Sequence, residues 1–304
     1  MPSFNITGLC PATHTPFHAD GSLHLAAVEP QASHLRHLGM TAVFIGGTTG
    51  ESSSLTLAER LALDDRWAEI GPAHELAVIV HVGSNCLADA ATLAARAEKN
   101  KARAISMIAP SYFKPRTLAD LVACCAQVAQ AAPRTPFYYY DIPAMTGLHF
   151  QADEFLTLAS VHIPNLAGIK YSNLDLDTYR RARALEDGRF DLPYGVDEQF
   201  LAALQAGARG GVGSTYNFNS GPLQRALAAH ARGDLNTAQA EQARVQPVVD
   251  ILARRGYLGS AKALMQHLGV PVGPARLPNG NPASAEIKQM LSELDAIGFF
   301  AWHV

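Results

Sequence analysis

The chain has 304 residues, 48% of them hydrophobic, and 24 Lys and Arg against 27 Asp and Glu leave a formal net charge of −3. That is enough apolar material for one large core or two domains. The balance excludes the basic patch of a nucleic-acid binder, and no apolar run approaches the roughly 20 residues that span a bilayer.

Taken in chain order, short runs rich in β-branched or aromatic residues alternate with longer alanine- and leucine-rich stretches. The runs are Gly8–Ala12, Ala42–Ile45, Leu76–Val82, Ala104–Ile108, Phe137–Tyr140, Leu166–Ile169, Phe190–Tyr194 and Gly210–Val212. Helical patterns such as Ala88–Lys99, Leu118–Ala132 and Glu198–Ala206 lie between them. Alternation of this kind implies βαβ units and a parallel sheet. The runs have no polar face, as strands covered by helices require. Eight units suit an α/β fold of the closed (β/α)8 TIM-barrel type, which takes about 250 residues with its loops. An open doubly wound sheet would announce a glycine-rich phosphate turn after its first strand. Here Cys10-Pro11-Ala12-Thr13-His14 stands in that place. After about residue 220 the β pattern stops. Pro222–Arg232, Leu235–Arg255, Ser260–Leu268 and Ser284–Ile297 read as helices. The expectation is a catalytic barrel over 1–220 and a C-terminal helical extension over 221–304.

The cysteines stand at 10, 86, 124 and 125, with no CxxC. Adjacent Cys124 and Cys125 are poorly placed for a bridge. With no leader pattern at the N-terminus, reduced thiols and a cytoplasmic location are expected.

Function in such a barrel sits at the C-terminal strand ends. The second run is followed by Gly46-Gly47-Thr48-Thr49-Gly50-Glu51, the fifth ends at Tyr140-Asp141-Ile142-Pro143, the sixth in Lys170, the seventh in Gly195-Val196-Asp197-Glu198 and the eighth in Gly213-Ser214-Thr215. Of six lysines (99, 101, 114, 170, 262 and 288), only Lys170 ends a buried-strand pattern directly. A lone lysine is ordinarily a surface residue. One partly desolvated at a barrel mouth supplies neutral amine for attack on a ketone. Lys114, before Pro115, reads as a loop lysine. The Gly46–Ser52 loop lacks a P-loop lysine. It is either a tight turn into a helix or a cradle whose Thr48 and Thr49 amides and hydroxyls bind a small carboxylate. Period-two alternation puts Tyr138 and Tyr140 on one strand face and Tyr139 on the other. Asp197 and Glu198 read as acids at a helix start or as acceptors for a polyol. His81 reads as a core histidine. No His/Cys/Asp/Glu set has metal-ligand spacing.

The Gly46–Glu51 loop, Tyr140-Asp141-Ile142-Pro143 and Gly168-Ile169-Lys170 together resemble the dihydrodipicolinate synthase / N-acetylneuraminate lyase family of pyruvate-dependent aldolases, in order and spacing from about residue 6 onward. Val80-His81-Val82-Gly83, Pro136–Gly147, Gly195–Gln199, Gly213–Asn217 and Gly273–Pro278 resemble the animal-type lyase branch. The resemblance implies Lys170 as the Schiff-base lysine and Tyr140 as the proton shuttle. It sets Thr48 and Thr49 on the substrate carboxylate, and Ser172, Gly195, Asp197, Glu198 and Ser214 along the sugar-derived tail. It sets Tyr112 in a relay across a subunit contact, and it implies a homotetramer. The substrate class is a small 2-oxo acid, with no metal or organic cofactor. Synthases of the family carry an arginine five residues after the shuttle tyrosine. Here that residue is Met145, whose thioether makes no bidentate carboxylate contact, so the implied reaction is sialic acid cleavage. An aldolase or dehydratase for another 2-oxo sugar acid, or a silent sugar-acid sensor, is the alternative.

Overall fold

The computed structural model describes residues 4–304. The start of the expected barrel at residue 1 therefore lies outside the described residues. Strands β1 (Gly8–Pro11), β2 (Ala42–Ile45), β3 (Ala77–His81), β4 (Ala104–Ile108), β5 (Phe137–Asp141), β6 (Leu166–Tyr171) and β7 (Gly210–Gly213) are all parallel. β2 to β6 form one continuous ladder, and β7 pairs with β1. The ring closes through an Ala12–Phe44 bridge on one side and through Tyr194, which bridges both Tyr171 and Gly211, on the other. The architecture is the (β/α)8 TIM barrel.

One expected strand differs. Phe190–Tyr194 makes only isolated bridges, at Asp191 and Tyr194. Pro193 has no N–H to give to a ladder. The segment instead leans on β6 where Gly168 has no side chain: a Cβ there would lie 1.7 Å from the Asp191 carbonyl oxygen.

Helices α1 (Val28–His37), α2 (Leu57–Ala73), α3 (Leu87–Lys99), α4 (Leu118–Ala129), the single turn α5 (Pro143–Thr146), α6 (Ala152–His162), α7 (Leu176–Ala184), α8 (Phe200–Gln205) and α9 (Ser220–Ala231) surround the ring. Their starts are written locally. Thr56 Oγ1 accepts from the Glu59 amide at 3.2 Å while Glu59 Oε2 accepts from the Thr56 amide at 2.9 Å, a capping box that opens α2. Thr117 and Asp120 repeat it for α4. α9 packs against β1 and α8, so the helix that completes the ring begins at Ser220 and runs on into the expected extension.

Then follow α10 (Leu235–Gln242), α11 (Val245–Ala253), α12 (Tyr257–His267), α13 (Ser284–Ala296) and α14 (Phe299–Trp302). The single helix expected over Leu235–Arg255 is two, broken at 243–244. Pro247 is the cause, since a helical proline excludes the carbonyl four residues earlier, at Ala243. Among the described residues no helix is long and apolar enough to cross a membrane.

Strand alternation sorts the core. Outward residues such as Val43, Val80, Ile105, Tyr139 and Ile169 join the main core beneath the helices. Inward residues Cys10, Ala12, Phe44, Ile79, Ala104, Tyr138, Tyr140 and Val212 fill the barrel. Tyr138 and Tyr140 thus share the inner face, and Tyr139 packs outside on Phe155 at 4.5 Å between ring centroids. The uppermost inward positions of β2, β3, β5 and β6 are Phe44, His81, Tyr140 and Lys170.

Candidate active site

Lys170 and Tyr140 are register partners across the β5–β6 pair. Both are buried, each 4% exposed. Lys170 Nζ lies 3.9 Å from the Tyr140 ring centroid and 4.0 Å from that of Phe44. The Tyr140 hydroxyl is 3.4 Å from Thr48 Oγ1. A primary amine, a phenol and a threonine hydroxyl therefore share the mouth of one barrel.

The Gly46–Glu51 loop is held in a tight coil. Gly46 takes φ +62°, and a Cβ on Gly47 would stand 2.6 Å from the Phe44 ring. The Glu51 amide donates to the Thr48 carbonyl at 3.0 Å, and Thr15 Oγ1 donates to the Gly50 carbonyl at 2.6 Å. Among the described residues the Thr48 and Thr49 amides have no hydrogen-bond partner, so the coil keeps two donors for an anion. Thr56, further on, is the helix cap.

Glu51 is the residue that sequence reading missed. It sits at φ +55°, a left-handed position uncommon outside glycine, and its carboxylate is fully buried. Lys262 Nζ on α12 reaches Glu51 Oε1 at 2.6 Å and the Pro274 carbonyl at 2.8 Å. The Arg276 amide donates to Glu51 Oε2 at 2.8 Å, and the Arg276 guanidinium clasps Glu59. Burial pulls Lys262 down to about 8, with Glu51 opposing. The C-terminal extension thereby anchors the loop. A lysine inside the otherwise small and apolar Ser260–Met265 stretch was the available signal.

His81 is more than a satisfied core histidine. It meets Tyr140 edge to face at 5.9 Å, and its Nδ1 is buried without a hydrogen-bond partner among the described residues. Burial, then Arg60 and Lys170, holds it well below the usual imidazole range, so it is neutral at the site. Arg60, which lines the cleft, is committed to the Gly83 and His81 carbonyls at 2.8 Å each. A cavity of about 500 Å³ opens from Thr48 and His81 across Gly83, Ile108 and Met145.

The remaining expected residues stand apart from that cavity. Asp197 is buried, its Oδ2 accepting from the Thr215 amide at 2.9 Å and hydroxyl at 2.7 Å, while Oδ1 has no hydrogen-bond partner among the described residues. Burial raises its carboxyl, opposed by Thr215 and Lys170. Gly213 makes room for it, because a Cβ there would lie 1.8 Å from Oδ1. Glu198, half-buried, is also raised by burial. Ser214 Oγ is 2.7 Å from the Tyr257 hydroxyl of α12. Ser172 Oγ donates to the Gly195 carbonyl at 3.3 Å, and Gly195 is side-chain-free beneath it. Tyr112 is not brought to the cluster within one chain. It is 80% exposed and packs edge to face on Phe113, itself 86% exposed. Among the described residues no group of three or more His, Cys, Asp or Glu is arranged to hold a metal ion.

Comparison with known proteins puts names beside this geometry. The profile of the dihydrodipicolinate synthetase family matches residues 5–296. N-acetylneuraminate lyase A of Xenopus laevis is 39% identical over 281 residues, 90% of each chain. The N-acetylneuraminate lyase of Gallus gallus is 36% identical over 300 residues, 97% of each. The solved structure of Proteus mirabilis N-acetylneuraminate lyase superposes with a TM-score of 0.94 at 34% identity, covering 97% of this chain and all of that one.

Proposed function

The chain belongs to the dihydrodipicolinate synthetase family, and on that premise we propose that it is a carbon–carbon lyase that cleaves N-acetylneuraminate reversibly to pyruvate and N-acetylmannosamine through a Schiff base on Lys170. The observation that carries the reading is the Lys170–Tyr140–Thr48 cluster in a chain matched nearly end to end by lyases of that name.

The substrate carboxylate binds the free Thr48 and Thr49 amides and the Thr48 hydroxyl. Lys170 Nζ attacks the C2 ketone of the open-chain sugar acid, and loss of water leaves an iminium. Tyr140, through its Thr48 contact and the substrate carboxylate, takes the proton from the C4 hydroxyl. The C3–C4 bond breaks, its electron pair passes into the iminium to give an enamine, and the aldehyde of the N-acylhexosamine leaves. The enamine is then protonated at C3, and water releases pyruvate. A free phenol near its usual value of about 10 is a weak base at neutral pH. The Tyr140–Thr48 contact, 3.4 Å before substrate binds, and stabilisation of the developing charge make it serviceable.

Glu198 and the unpartnered Asp197 Oδ1 supply acceptors for the tail hydroxyls, with Ser172, Gly195 and Ser214 beside them. Met145 leaves the cleft without the arginine that a second carboxylate would need. The enzyme works in the cytoplasm as a homo-oligomer, in which a partner subunit covers the exposed Tyr112–Phe113 pair.

A pyruvate-release assay across 2-oxo sugar acids, with N-acetylneuraminate and 2-keto-3-deoxygluconate as its poles, tests the reading. The highest kcat/KM is expected for N-acetylneuraminate. A preference for 2-keto-3-deoxygluconate reassigns the substrate, and no pyruvate from any member removes the lyase reading.

A further inference from the structure

We propose that Phe44 is a catalytic residue: the face of its ring, together with that of Tyr140, cradles the positive charge that Lys170 Nζ carries as ammonium and as iminium. The proposal rests on the reading of Lys170 as the Schiff-base lysine.

Phe44 has no polar atom, so it moves no proton and donates no hydrogen bond. What it offers is the negative face of its π system. Nζ stands 4.0 Å from its centroid and 3.9 Å from that of Tyr140. The two rings meet at 76°, so they offer two walls rather than one stack. Among the described residues no carboxylate lies within ion-pair distance of Lys170, yet Lys170 is only 4% exposed and Phe44 1%. A buried cation without a counter-charge is costly, and here ring faces occupy the place where a carboxylate would ordinarily stand. The loop is shaped around this ring: Gly47 has no Cβ where one would strike Phe44 at 2.6 Å.

The arrangement suits the chemistry. A carboxylate paired with Nζ would hold the ammonium in one geometry and compete with the substrate carboxylate for the site. A quadrupole is diffuse, tolerates the change from tetrahedral ammonium to planar iminium, and leaves Thr48 and Thr49 free. The charge is needed until the C3–C4 electron pair neutralises it. The titratable groups around Lys170 do not replace the rings. Cys10 on β1 is a neutral thiol pushed up to about 12 by burial, His81 on β3 is neutral, and Asp197, though within electrostatic reach of Lys170, makes no ion pair with it among the described residues. Tyr140 on β5 is the other wall.

The test replaces Phe44 in the full chain with 4-fluoro-, 3,4-difluoro- and 3,4,5-trifluorophenylalanine. Each fluorine weakens the ring face with little change in size, so packing survives. The rate of borohydride-trapped pyruvate adduct on Lys170 is measured against pH, with thermal stability as a folding control. Destabilising the ammonium leaves neutral amine available at lower pH. The acid limb should therefore step down with each fluorine, by about half to one pH unit in the trifluoro protein. Superimposable profiles at unchanged stability overturn the cradle, because a merely structural ring would leave the acid limb fixed. Absence of any Lys170 adduct in the unsubstituted protein overturns the Schiff-base reading instead.

Discussion

At the scale of single residues, the site depends on side chains set at the top of inward strand positions. Tyr140→Phe tests the separation of roles. The ring keeps its place against Lys170 and Phe44, and only the hydroxyl facing Thr48 goes. Adduct formation with pyruvate should persist while cleavage falls by about 10²–10⁴-fold, the usual worth of a general acid–base group; near-normal turnover would mean that another group carries the proton. Glu198→Gln keeps shape and removes a charged acceptor. It should leave the pyruvate adduct intact and lower kcat/KM for the sugar acid by roughly 10–150-fold, since a hydrogen bond to a charged group is worth about 1.5–3 kcal/mol. A parallel loss of adduct would make Glu198 structural. The placement of Lys170 was legible because a lysine that closes an apolar strand run is costly to bury unless it pairs or reacts, and that of Tyr140 because it ends the neighbouring run. His81 was not, because a histidine inside a strand pattern looks the same whether its nitrogens are satisfied or left bare. Phe44 was not, because an inward phenylalanine is the default filling of a barrel.

At the scale of elements, the Gly46–Glu51 loop and the C-terminal extension form one unit through Glu51, Lys262 and Arg276. Lys262→Met leaves Glu51 buried without its cation. Breaking a buried pair on one side costs about 3–5 kcal/mol, so a marked fall in Tm and weaker pyruvate binding are expected. Adding Glu51→Gln should recover part of the Tm, because it removes the stranded charge. If Lys262→Met melts like the unsubstituted protein, the pair does not hold the loop. The sequence shows a lysine in an apolar stretch but not its partner, which stands 211 positions away. The same limit accounts for the two elements that depart from expectation. The seventh run has strand composition, but Pro193 and the approach to Gly168 restrict it to bridges. Leu235–Arg255 has continuous helical composition, but Pro247 breaks it. Composition sets the type of element, and single backbone incompatibilities set where it stops.

At the scale of the whole molecule, the barrel carries buried acids outside the site that make its stability depend on pH. Asp64 on α2 is 2% exposed, and neither carboxylate oxygen has a hydrogen-bond partner among the described residues. The nearby Asn100 amide is spent on Asp65 at 2.9 Å. Burial raises Asp64 to about 7, and it likewise raises Asp141 to about 7. An acid raised in the fold ionises first in the unfolded chain. Its penalty is therefore absent below the ordinary carboxylate range, grows as pH rises from about 4 to about 7, and is complete above. Asp64→Asn should raise Tm by several degrees near pH 8 and hardly at all near pH 4, by scanning calorimetry; equal shifts at both would show that Asp64 ionises normally in the fold. The central claim is the covalent bond between one lysine and the substrate ketone. The most direct measurement incubates the protein with N-acetylneuraminate, reduces with borohydride and maps the modified peptide by mass spectrometry. The account predicts a reduced pyruvate-derived adduct on Lys170 alone, abolished by Lys170→Ala. An adduct on Lys114 or Lys262, or release of pyruvate with no trapped adduct at all, would contradict it.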